Sequence, residues 1–102
     1  MKIVTFTDFG DDVVDSKHEV CHVEVGCGEK SADILVLDIA TIFDFEEKKH
    51  DVMKEKCVSI AIIDDPDDYD AFKNFGIDAW INREDLGELN GLLNLAEKRF
   101  LS

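Results

Sequence analysis

Two short runs, "DILVL" at residues 33–37 and "VSIAII" at residues 58–63, are apolar at nearly every position. A strand with one wet face alternates apolar and polar side chains. A strand covered on both faces need not, so these runs read as the buried centre of a parallel sheet. Parallel neighbours need a crossover of about a dozen residues or more, usually helical. The stretch between them supplies one: "FDFEEKKHDVMKEK" has Asp44 as a cap, acids first and lysines last, which suits a helix over residues 45–55.

The pattern continues on either side. Further β-rich runs fall at Ile3 to Phe6, Val20 to Val25 and Ala79 to Ile81. Of these, "EVCHVEV" alternates as a half-exposed edge strand does. In "DDPDDYDAFKNFG" Asp65 caps a helix, Pro66 fits its first position, Asp68 completes an acidic capping box, and Gly76 stops it. In "NREDLGELNGLLNLAEKRFL", Asn82 and Asp85 repeat the device, and Leu86, Leu89, Leu93, Ala96 and Phe100 share one face of a terminal helix. The expectation is an α/β, doubly wound, five-stranded parallel sheet. Residues 9–32 leave room for about one helical turn on each side of the second strand, so the helices between the first three strands are reduced.

A chain of 102 residues, 45% hydrophobic, is one domain with a real core, either a whole small protein or the amino-terminal piece of a longer one. Its net charge of −13 repels phosphate backbones and anionic membranes, which argues against nucleic acid as a partner. Its longest apolar runs fall far short of the roughly 20 residues that span a bilayer. Three cysteines, an odd number in a chain with no signal peptide, suggest reduced thiols and a cytoplasmic setting. His18, Cys21, His22 and Cys27 are poorly spaced for a metal, since Cys21 and His22 point to opposite faces of a strand, and Cys57 reads as a small core residue.

Asp38 breaks the apolar run "ILVLDIATIF". An isolated carboxylate is costly to bury, so it should end its strand facing a cleft or a counter-charge. Functional groups in such sheets gather beyond the carboxyl ends of the strands, where this chain offers Asp8, Asp38, Asp64 with Asp65, and Arg83. Carboxylates such as Asp8 and Asp38 could hold magnesium, and Asp38 could act as a nucleophile toward a phosphoryl group.

The stretches "ADILVLDIATI" and "SIAIIDDPDDYDAFKNFGIDAWINRED" resemble the receiver domains of two-component response regulators, which have a flavodoxin-like fold. The resemblance puts Asp38 at the phospho-acceptor position, Trp80 at the aromatic switch position and Arg83 where the family usually has lysine. It implies Asp8 and Asp38 as magnesium ligands. A half-buried core aromatic is the plainer reading of Trp80. The departures are specific: Thr7 stands beside Asp8 where the family has two adjacent acids, Asp64 replaces a hydroxyl residue, and the chain is shortened between its first and third strands. Asp64 either pairs with Arg83 across the old phosphoryl site, the favoured reading, or adds a ligand to a cation site with Asp8 and Asp38.

The expected function is therefore signal transduction through protein contacts by an atypical receiver, not an enzyme, with weak or absent phosphorylation of Asp38. Its partners would be a histidine kinase or an output domain, or a second copy in a homodimer, met through Tyr69, Phe72, Trp80, Leu89 and Leu93. The alternative is a working, magnesium-dependent acceptor. A small magnesium-dependent phosphotransfer or hydrolytic enzyme is a weaker rival, since no glycine-rich phosphate cradle is present.

Overall fold

The two apolar runs lie side by side in the middle of the sheet. A computed structural model describes residues 1–7, 14 and 18–101 of the chain. Its strands are β1 (Lys2–Thr5), β2 (Glu19–His22), β3 (Ala32–Asp38), β4 (Met53–Ile63) and β5 (Ala79–Asn82). All neighbours are parallel, in the order β2-β1-β3-β4-β5. β3 and the apolar half of β4, residues 58–63, are covered on both faces, which is why these runs have no polar alternation: Ile34 to Leu37 and Ile60 to Ile62 are fully buried.

Alternate residues of these strands feed two separate cores. On one face Leu35, Leu37, Ala61 and Ile63 pack with Phe6, with Phe45 from α1 (Ile42–Val52) and with Phe72 from α2 (Asp68–Phe72). Phe6 and Phe45 meet edge to face at 5.8 Å between ring centroids. On the other face Ile34, Val36, Ile60, Ile62 and Ile81 pack with Leu89, Leu93 and Ala96 from α3 (Leu89–Ala96). Each such valine, leucine, isoleucine or phenylalanine contributes about 1.5–3 kcal/mol on burial.

The elements depart from the sequence expectations at their ends, for identifiable reasons. α1 begins at Ile42 rather than 45 and stops at Val52 rather than 55. Its start is set not by Asp44 but by a short 3₁₀ turn, Ile39–Thr41, that the Asp38 side chain caps. Its end is set by the sheet: Met53 is already extended and pairs with Ala32, and Lys54 then meets Asp33 at 2.9 Å. β2 ends at His22, three residues early, because Val23–Val25 turn as a 3₁₀ helix and Gly26 leaves it with φ 83°. That turn brings Cys27 back against the edge strand, with Cα atoms 5.9 Å apart, where it is joined to Cys21 in a disulfide. The expectation of three reduced thiols is thus corrected for two of them, and Cys57 is free.

α2 begins at Asp68, two residues beyond the expected first position Pro66; Asp67 is its N-cap and makes no side-chain cap bond, and the acids expected to cap the helix instead hold the turn before it. Asp65 Oδ1 accepts from Asp67 N at 3.0 Å, while Asp68 Oδ2 reaches back to the N–H groups of Asp64 and Asp65 at 3.0 and 3.1 Å. Gly76, at φ 67°, lies in the turn that follows. The terminal segment opens as a 3₁₀ stretch, Arg83–Glu88, kinked at Asp85, before α3 takes over. No helix among the described residues is long and apolar enough to cross a membrane.

Candidate functional site

In an open parallel sheet the crevice lies beyond the strands' carboxyl ends, at the point where the strand order reverses. Here that point is between β1 and β3, whose carboxyl ends lead to Thr7 and Asp38. The Thr5 hydroxyl donates to Thr7 O at 2.6 Å and accepts from Thr7 N at 3.2 Å, which fixes the turn out of β1. The Thr7 hydroxyl in turn donates to Asp38 Oδ2 at 2.7 Å.

Asp38 is buried, 6% exposed, and both of its oxygens are engaged. Oδ2 accepts from Thr7 and from Arg83 Nη2 at 2.8 Å. Oδ1 accepts from the Thr41 backbone N–H at 3.1 Å and from the Thr41 hydroxyl at 2.9 Å. Burial works to raise the pKa of this carboxyl, but the hydrogen bonds from Thr7, Thr41 and Arg83, with the charge of Arg83, outweigh it and hold the group below the ordinary carboxylate value.

Arg83 leaves the end of β5 and spans two carboxylates. Its Nε and Nη2 face the two oxygens of Asp64, with Nη2 to Oδ2 at 3.0 Å, and the same Nη2 reaches Asp38. A planar guanidinium suits this forked arrangement and a lysine ammonium does not. Hydrogen bonding to Asp64 is the first cause, ahead of that to Asp38, of a guanidinium held protonated even more firmly than usual. The triad has a dry end and a wet end: the Asp38 side chain is 9% exposed, those of Arg83 and Asp64 each 38%.

The site residues expected from the sequence separate into groups. Asp38, Asp64 and Arg83 converge directly. Asp8, the expected second metal ligand, lies outside the described residues, as do Asp11 and Asp12. Tyr69 and Trp80 are exposed neighbours, with ring centroids 6.2 Å apart. Phe72, Leu89 and Leu93 are not surface anchors: all three are completely buried, because α2 and α3 turn their apolar faces inward onto the sheet. Thr41 was not expected, although threonine three places after an aspartate is a capping pattern.

The arrangement does not fit a divalent cation among the described residues. Asp38 has its oxygens filled by four donors and Asp64 turns both of its own to Arg83, so the guanidinium is the cation that the carboxylates share. No group of three or more His, Cys, Asp or Glu side chains that could hold a metal occurs among the described residues. Beside the triad, a cavity of about 690 Å³ opens between the turn after β4 and the segment after β5, lined by residues that include Asp64, Asp65, Tyr69, Asn82, Arg83 and Glu84. Comparison of the chain with protein-family models, curated proteins and solved structures finds no match.

Proposed function

We propose that the chain is a divergent receiver-like signalling domain of flavodoxin-like fold that works through protein contacts, without phosphorylation of Asp38. The strand order β2-β1-β3-β4-β5 agrees with this reading, since doubly wound sheets of the flavodoxin type use it. The observation that carries the proposal is the closed Asp38–Arg83–Asp64 triad. A carboxylate that attacks phosphorus needs a free lone pair, and the lone pairs of Asp38 are taken by Thr7, Thr41 and Arg83. An approaching phosphoryl dianion would also meet Asp64, an acceptor with no proton to donate when ionised. The ion pair therefore holds the region between β4 and β5 in one arrangement, and the adjoining surface is presented permanently. Binding to an output domain or another signalling protein then sets the signal. No step of this reading runs through magnesium.

Intact-protein mass after incubation with a small phosphoryl donor and magnesium tests the proposal, using wild type, Asp38→Asn and the double variant Asp64→Thr/Arg83→Lys. Wild type should gain nothing. The double variant, with the acceptor unlocked and a hydroxyl supplied, should gain one phosphoryl group that is lost when Asp38→Asn is added. Phosphorylation of wild type at Asp38 would favour the working-acceptor alternative. No gain in the folded double variant would count against receiver ancestry altogether.

A further inference from the structure

Tyr69 and Trp80 are large side chains left 43% and 42% exposed. Tyr69 comes from α2 and Trp80 from the edge strand β5, and their rings lie 6.2 Å apart with an interplanar angle of 53°. Tyr69 also lines the 690 Å³ cavity, of the size that ligand sites occupy, and Trp80 stands beside the Tyr69 ring. Much of the remaining lining is charged. Residues 64–85 carry eight acids and two bases. Arg83 is held by Asp38 and Asp64, and the exposed Lys73 lies 3.6 Å from Asp70, so the acids dominate this surface. Asp65 and Glu84, both exposed, line the cavity and form no ion pair among the described residues.

We infer that this cleft docks a basic segment of a protein partner, with an arginine or lysine side chain lying on the Tyr69–Trp80 pair and its neighbours meeting Asp65 and Glu84. The inference rests on the protein-contact reading above and names the chemistry of the partner. An aromatic face attracts a cation through its quadrupole, and flanking carboxylates add to that attraction. Charge also decides against a second copy of the chain: a two-fold interface would set this acidic surface against itself.

The test is fluorescence anisotropy of a labelled tetra-arginine peptide with the full chain at physiological salt, with a tetra-glutamate peptide as control. Trp80→Ala should weaken tetra-arginine binding by about 3- to 30-fold, the range of one cation–π contact. Trp80→Phe should restore part of the loss. Asp65→Asn/Glu84→Gln should weaken binding several-fold, whereas Glu19→Gln/Glu24→Gln, the same charge change at the opposite sheet edge, should leave it within about twofold. Three results each overturn the inference: no binding, equal weakening by all of the variants (diffuse attraction to an acidic protein), or sedimentation showing a dimer that Trp80→Ala breaks. None of these outcomes depends on Asp38, so the phosphorylation test stands or falls separately.

Discussion

Replacing Arg83 with methionine keeps much of the aliphatic stem and deletes the charge that two carboxylates share. The two contacts should differ in worth, because one is dry and the other wet. At the Asp38 end, Arg83 Nη2 lies 2.8 Å from an oxygen of a 9% exposed side chain, so a charged hydrogen bond is lost and its buried acceptor keeps only its neutral donors. That loss costs about 1.5–3 kcal/mol. At the Asp64 end both side chains are 38% exposed, and solvent screening reduces the pair to about 0.2–1 kcal/mol. Together Arg83→Met should destabilise the domain by about 2–4 kcal/mol, a large part of a typical domain's stability. Urea unfolding at neutral pH, followed by the single tryptophan, Trp80, provides the measurement, and the slope should be unchanged. Double-mutant cycles divide the loss: the coupling of Arg83 to Asp38, read with Asp38→Asn, should exceed its coupling to Asp64, read with Asp64→Asn, by about 1 kcal/mol or more. A loss below about 0.5 kcal/mol for Arg83→Met, or a larger coupling to Asp64, would refute the argument that burial decides which half of the triad matters.

Acid should act through the same residue: the Asp38 carboxyl has a lower pKa folded than unfolded, so its stabilisation is full above the unfolded value of about 3.9 and is lost as pH falls through the folded value. Unfolding free energy should consequently fall more steeply between about pH 5 and pH 2 in wild type than in Asp38→Asn, and parallel curves would contradict this. Asp68→Ala removes the acceptor for the Asp64 and Asp65 N–H groups and should cost about 1–2 kcal/mol in denaturant unfolding, while also loosening Asp64 against Arg83. Phe45→Ala, at a 1% exposed site packed on Phe6, should cost about 3–5 kcal/mol by the same assay. Thiol titration of native protein without reductant should find Cys57 alone, and should find it slow, because burial and then the carboxylates of Asp33 and Asp78 push its pKa up to about 12. Fast reaction of three thiols would mean that the Cys21–Cys27 bridge does not form.

Periodicity and end signals were enough to read several elements from the chain alone. The continuous apolar runs of β3 and β4 mark strands buried on both faces, since a strand with no wet face has no reason to alternate. The Asp65, Pro66 and Asp68 cluster marked a turn held by its own acids, with the helix α2 beginning only at Asp68, and Gly76 marked the turn beyond it, because short-range hydrogen bonds and positive φ are satisfied by nearby residues. Asp38 after an apolar run announced a strand-end carboxylate for the same local reason.

What lay beyond the sequence depends on which segments meet. Val23 and Val25 suit a strand, but the chain turns at Val23–Val25 and closes Cys27 onto Cys21. Lys54 and Lys56 suit the end of a helix, yet they lie in β4, in the irregular stretch between the pairs Met53–Ala32 and Val58–Ile34 that tie this strand to β3. Phe72, Leu89 and Leu93 carry the same hydrophobicity whether they anchor a partner or fill a core, and only the packing of α2 and α3 against the sheet decides for the core. The site shows the division most clearly. Sequence established that acids and one arginine end the strands, since strand length alone dictates that. Tertiary structure decided that a single guanidinium is shared by Asp38 and Asp64, residues 45 and 19 positions away from Arg83, and that Thr7 and Thr41 fill the remaining oxygens of Asp38. Hydrogen bonds act over about 3 Å, and such separations in sequence become neighbours only when the sheet aligns the strand ends.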